Sequence, residues 1–211
     1  MRNFSKLLFV TLLSAGLLFF LGAFRPTDTV SVSDSYITDG EQSPCHQTDR
    51  GPVIDWRSDY KLRYEDFKGD PKGNPAYAVA TTSSAFGYSI TDRGGEISGS
   101  IYVRFYCEES WWNPDYRTEE VREHEQLHFD ICEVFGRKFY KAVLVLRDSG
   151  NLNSRSMRRI KSKFEKQYDD CQLLYDSETD HGTKEEEQSA WNQKIKRELD
   201  ELSDFADYAS F

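Results

Sequence analysis

The sequence predicts an α+β domain, with a small antiparallel sheet in the N-terminal half packed against a helical C-terminal half. Three observations carry this. Ile97, Ile101, Val103 and Phe105 share one parity, as a half-buried strand requires, and Arg93-Gly94-Gly95 separates them from a second strand-like run, Tyr77 to Ile90. From Glu119 to Arg147 the period becomes helical: Val121, His124, His128, Cys132, Phe135 and Phe139 form one stripe, with Leu127, Ile131 and Val134 beside it. Two further helical stretches follow, Leu152 to Leu174 and one marked by Trp191, Ile195, Leu199 and Leu202.

Taken in order, Arg2 and Lys6 precede an apolar run from Leu7 to Phe24, ended by Arg25-Pro26, so residues 1–24 read as an export signal or a retained N-terminal membrane anchor. Residues 25–51 are rich in Thr, Ser, Asp and Gly without periodicity and read as a flexible linker, in which His46 has no assigned role. The folded domain is expected over 52–204, with 205–211 as a tail. Val53-Ile54-Asp55-Trp56 and Leu62-Arg63-Tyr64 read as short strands. The long helix has a possible break at Gly136, Asp148-Ser149-Gly150-Asn151 is a turn, and Asp180-His181-Gly182 precedes the last helix. Glu185-Glu186-Glu187 suits the positive end of that helix's dipole and needs no function.

Composition narrows the partners. With 27 Lys+Arg against 36 Asp+Glu, the net charge is -9 and no basic cluster is present, which argues against a nucleic-acid partner. The 4 Trp, 12 Tyr and 14 Phe supply an aromatic-rich core. No Cys-x-x-Cys pair occurs, so a bound metal would need His and carboxylates. In an exported chain, Cys45, Cys107, Cys132 and Cys171 can pair in three ways; antiparallel helices favour Cys132 with Cys171 and leave Cys45 with Cys107, the alternative being free buried thiols.

One motif carries chemistry. His124-Glu125-Gln126-Leu127-His128 places two imidazoles at i and i+4 on one helical face, within reach of one Zn2+, with Glu125 beside them to act as general base on a metal-activated water. The competing reading is two polar residues on an amphipathic helix, but buried imidazoles need partners, and a metal satisfies both. A third ligand is required. Asp130 and Glu133 lie about 200° and 140° around the helix from His128 and read as salt-bridging groups. His46, Glu178 and His181 remain; His181 is favoured because Gly182 permits the turn that aims it inward. Tyr175 is the candidate oxyanion donor or a core aromatic, and Asp130, Asp176 or Thr179 are candidates for orienting the imidazoles.

These residues resemble a family. The run His124 to Ile131 with Glu133, Tyr175-Asp176-x-Glu178-Thr179-x-His181-Gly182, Trp191-Asn192, and Leu62-x-Tyr64-x-Asp66-Phe67-x-Gly69 look like the bacterial exported proteins of domain of unknown function 922, with Ser110-Trp111 also fitting. Tyr64 stands where Trp is expected. The resemblance spans roughly residues 56–202 and implies a zincin-like fold with His124, His128 and His181 as ligands and Glu125 as catalytic residue. The function implied is an exported zinc metallopeptidase acting on a peptide or protein, secreted or periplasmic. The alternatives are a zinc-stabilised binding or envelope-scaffold domain without catalysis, and a metal-free interaction module in which Trp111-Trp112 bind a partner.

Overall fold

A computed structural model describes residues 44–72 and 79–211, all within a unit that begins at Glu41. The export segment, most of the expected linker and the start of the Tyr77 to Ile90 run lie outside the described residues. Among the described residues, no helix is long and apolar enough to cross a membrane.

The architecture is α+β, as expected. A four-stranded antiparallel sheet has the order β1-β2-β5-β4, built from β1 (His46–Thr48), β2 (Gly51–Asp55), β4 (Ser84–Arg93) and β5 (Glu96–Tyr106). A second small sheet pairs β3 (Ala80–Thr81) with β6 (Trp111–Trp112). The β4–β5 hairpin runs in register from Ser84↔Phe105 to Arg93↔Glu96. Its two-residue turn requires positive φ at both positions, which Gly94 and Gly95 supply at +67° and +94°. Ile101, Val103 and Phe105 then share the buried face, with Phe86 opposite Val103.

Helix α1 (Glu119–Asp148) begins at Thr118, whose hydroxyl accepts from the Val121 amide at 3.3 Å. It is unbroken at Gly136, because that glycine serves approach rather than bending: a Cβ there would lie 2.4 Å from Val103 Cγ2. Helix α2 (Ser154–Thr179) is capped by Asn153, which accepts from the Arg155 and Ser156 amides, and α3 (Glu185–Glu201) follows a turn. Helix α1 packs on β4, β5, α2 and α3, so its central face is the core of the domain.

Four expectations need correction. The linker ends before residue 51, since His46 to Thr48 pair with β2 and Cys45 is disulfide-bonded to Cys107. Leu62 to Tyr64 is not a strand: the Leu62 amide donates to Gln126 Oε1 at 2.7 Å, and Asp66 Oδ2 caps a short 3-10 turn, Tyr64–Asp66, through the Arg63 amide. Residues 205–211 are held rather than free, because Phe211 and Gly99 exchange both backbone hydrogen bonds, at 2.9 and 3.1 Å, and the Tyr208 hydroxyl donates to Glu133 Oε2 at 2.6 Å.

The fourth correction concerns cysteine. Cys45 and Cys107 are joined as expected, but Cys132 and Cys171 are free thiols. Cys132 faces Ser84 and Tyr168, where burial pushes its thiol up to about 12. Cys171 is half-buried among the charges of Lys194 and Glu198 on α3. The helices are neighbours, yet the two sulfurs meet different surroundings. Trp111 and Trp112 are core residues, both buried.

Candidate metal centre

The i, i+4 spacing on α1 sets His124 and His128 side by side, with their Nε2 atoms 3.2 Å apart. Helix α2 returns antiparallel and brings Asp176, whose Oδ1 lies 3.2 Å from His124 Nε2 and 3.1 Å from His128 Nε2. Among the described residues, this is the one group of His, Cys, Asp or Glu gathered tightly enough to hold an ion. A tetrahedral ion with bonds of about 2.0–2.1 Å has ligand-to-ligand edges of about 3.3–3.4 Å. The three observed separations come close to such edges.

The other ring nitrogens are also engaged. His128 Nδ1 lies 2.7 Å from Gln172 Oε1, and Gln172 Nε2 donates to the His128 carbonyl at 3.0 Å. His124 Nδ1 lies 3.1 Å from Gln188 Oε1, and Gln188 Nε2 donates to Asn192 Oδ1 at 2.9 Å. The Tyr175 ring stacks on His124 with centroids 4.7 Å apart. Gly182 packs on the same imidazole so closely that a Cβ would lie 3.0 Å from its Cγ.

Electrostatics follow from this arrangement. Burial opposes ionisation of Asp176, but hydrogen bonding to His124 and His128, with their charges, outweighs it and holds the carboxyl well below its usual range. Burial likewise works against a charged His128, yet bonding to Asp176 and the charges of Glu125 and Asp176 raise its pKa overall. Glu125 is 5% exposed, and its Oε2 is a buried oxygen without a hydrogen-bond partner. Its charge acts on both His128 and Tyr175, which puts the carboxylate beside the cluster.

His181 stands outside the tight group. Its Nδ1 is 3.6 Å from Asp176 Oδ1, but its side chain is 77% exposed. Helix α2 continues through Tyr175 and Asp176 to Thr179, so Asp176 takes the inward position before the chain turns out through Asp180, His181 and Gly182, all at positive φ. Tyr175 is fully buried, and its hydroxyl lies 2.9 Å from Gln188 Oε1 and 3.2 Å from the His124 carbonyl. That is the Nδ1 side of His124, away from the converging nitrogens, so an oxyanion role does not suit its geometry.

The remaining candidates are committed elsewhere. Glu178 accepts from Trp191 Nε1 at 2.8 Å, and His46 lies 3.3 Å from Asp55 on the sheet. Asp130 accepts from Trp56 Nε1 at 2.8 Å and lies 3.5 Å from Lys61, while Glu133 pairs with Arg137 at 2.7 Å. Thr179 Oγ1 donates to the Tyr175 carbonyl. Gln172 and Gln188 were not foreseen; the available signal was Gln172 at i−4 from Asp176, which aligns both on one face of α2.

The arrangement presents two nitrogens and a carboxylate oxygen to one point, beside a second, unpartnered carboxylate. No protein-family model, curated protein or solved structure matches the chain.

Proposed function

We propose that this chain is an exported zinc-dependent metallopeptidase in which His124, His128 and Asp176 hold the ion and Glu125 is the general base. The observation that carries this reading is the convergence of His124 Nε2, His128 Nε2 and Asp176 Oδ1 at 3.1–3.2 Å from one another. Three electron-pair donors this close repel one another unless a cation or protons lie between them, and a divalent ion matches the spacing. When bound, the zinc supplies Lewis acidity to a water and to a peptide carbonyl.

The chain's own residues supply the rest. Glu125 takes a proton at Oε2, the atom without a partner, and returns it to the leaving amine. Tyr175 and Gly182 hold the His124 ring in place by contact. His181, exposed beside Asp176, marks the solvent side of the cluster. The resemblance to domain of unknown function 922 supports the same reading on its motifs, with Asp176 inside the Tyr175-Asp176 element in place of His181 as third ligand. The apolar run Leu7 to Phe24 supports export, secreted or periplasmic, with a membrane tether if it is retained. The net charge of -9 favours a peptide or protein substrate over nucleic acid.

A structural zinc is the second reading, favoured by the burial of His124, 4% exposed, and Glu125, 5% exposed. The deciding experiment measures zinc content and cleavage of an unfolded casein probe by the full chain and by Glu125→Ala. About one zinc per chain in both, with cleavage by the parent alone, is expected for the peptidase. Zinc without cleavage in either supports the structural ion. No zinc in the folded parent overturns both.

A further inference from the structure

We propose that Gln172 and Gln188 are positioning residues, whose amide oxygens each hold an Nδ1–H so that the Nε2 atoms of His128 and His124 both face Asp176. The hydrogen-bond network decides this rather than proximity alone. Gln172 Nε2 meets the His128 backbone carbonyl at 3.0 Å, and a carbonyl can only accept. The amide is therefore fixed with its oxygen towards His128 Nδ1, at 2.7 Å, and an oxygen there requires a proton on that nitrogen.

Gln188 is held by side-chain partners rather than by a backbone carbonyl. Its Nε2 donates to Asn192 Oδ1 at 2.9 Å, while its oxygen accepts from the Tyr175 hydroxyl at 2.9 Å. With the amide so placed, that oxygen lies 3.1 Å from His124 Nδ1 and calls for a proton on it. Asn192 thereby acts on His124 through Gln188, and Tyr175 fixes the amide from the other side. Each imidazole of one helix is thus set by a different neighbouring helix, His128 by α2 and His124 by α3.

A neutral amide differs from the carboxylate often found in this place. It fixes the tautomer without adding negative charge, and Asp176 and Glu125 already supply two carboxylates to this buried site. The part of the inference that concerns metal affinity rests on the zinc reading above; the part that concerns tautomers does not.

The test uses the full chain labelled with 15N and free of metal. Long-range proton–nitrogen correlation spectra should show a proton on Nδ1 of both His124 and His128, while exposed His181 shows the Nε2–H form usual for free imidazole. Gln188→Leu should release His124 and leave His128 unchanged, and Gln172→Leu the converse. Each should weaken zinc binding by about 10–100-fold. Gln188→Glu keeps the shape and an acceptor oxygen, so it should retain the parent tautomer and bind zinc at least as tightly; it serves if a leucine variant fails to fold. An Nδ1 without a proton on either buried histidine of the parent overturns the proposal, as do leucine variants with parent tautomers and affinity. A parent with both Nδ1–H forms that takes up no zinc overturns the metallopeptidase reading and leaves the positioning of the two rings standing.

Discussion

Asp176 Oδ1 stands 3.2 Å from His124 Nε2 across a sequence separation of 52 residues. The pair exists only once α1 and α2 have docked, so the third position of the proposed metal site is a product of tertiary packing. Asp176→Ala should therefore lose zinc more severely than the 10–100-fold, roughly, that removal of an outer partner costs. His181→Ala should keep most of it. Elemental analysis of both variants after dialysis decides the matter, and loss of zinc from His181→Ala with retention in Asp176→Ala would reverse the assignment.

Glu125 buries a carboxylate oxygen with no partner. A neutral side chain of the same shape avoids the cost of desolvating that charge. Glu125→Gln should stabilise the metal-free protein by about 1–3 kcal/mol, read as a higher midpoint in thermal unfolding with chelator present. An unchanged or lower midpoint would show that the carboxylate is already satisfied.

Gly136 sets the distance between α1 and β5. Alanine gains about 1 kcal/mol of helix propensity, but its Cβ would lie 2.4 Å from Val103 Cγ2. Overpacking of this kind costs about 1–3 kcal/mol, so Gly136→Ala should destabilise on balance. Urea unfolding measures the difference, and a stabilised variant would mean that the helix can move off the sheet.

Two of the four cysteines are free thiols. Thiol titration should find two in the denatured, unreduced chain. In the native chain Cys171, half-buried with its pKa raised by burial, should react slowly, and Cys132, fully buried with a raised pKa, more slowly still. Cys45→Ala, which removes the observed disulfide, should cost about 2–5 kcal/mol.

Glu133 is buried against Arg137 and Tyr208, and burial outweighs both partners to raise its pKa from 4.5 to about 7. The folded state thus favours the protonated carboxyl. Its contribution to stability is full below the unfolded pKa and is lost as pH rises through about 7. The loss is on the order of 3 kcal/mol. Glu133→Gln should flatten this part of the stability profile in urea unfolding from pH 4 to 8, roughly the window between the two values. An unaltered slope would assign the dependence to another group.

The long-range elements were legible where one period dominated. The parity of Ile101, Val103 and Phe105 and the stripe on α1 fixed strand and helix because each repeats over many residues. Short elements were legible only in part: Val53 to Asp55 lie in β2 as expected, but β1 spans three residues, and the Leu62 amide is satisfied by a side chain from α1, which no local pattern announces. At the site, His124, His128 and Glu125 were readable as a contiguous motif. Asp176 was seen as an orienting group because the helix was expected to end at Leu174, which left Tyr175 to His181 as a turn in which His181 had the better aim. Five more helical residues put Asp176 on the inner face and turned His181 outward. The glutamines escaped notice because their role depends on amide orientation between helices.

The segment around Phe211 lies along β5 where β2 has ended, since β2 pairs only with Arg104 to Tyr106 while Phe211 and Tyr208 take the backbone groups of Gly99 and Ile101. It works as a guard on an open sheet border. With that cover displaced, Gly99 and Ile101 would present unpaired amide and carbonyl groups next to an apolar face, a template for strands of other molecules. The protein's resistance to aggregation therefore depends in part on a segment that contributes nothing to the proposed metal site.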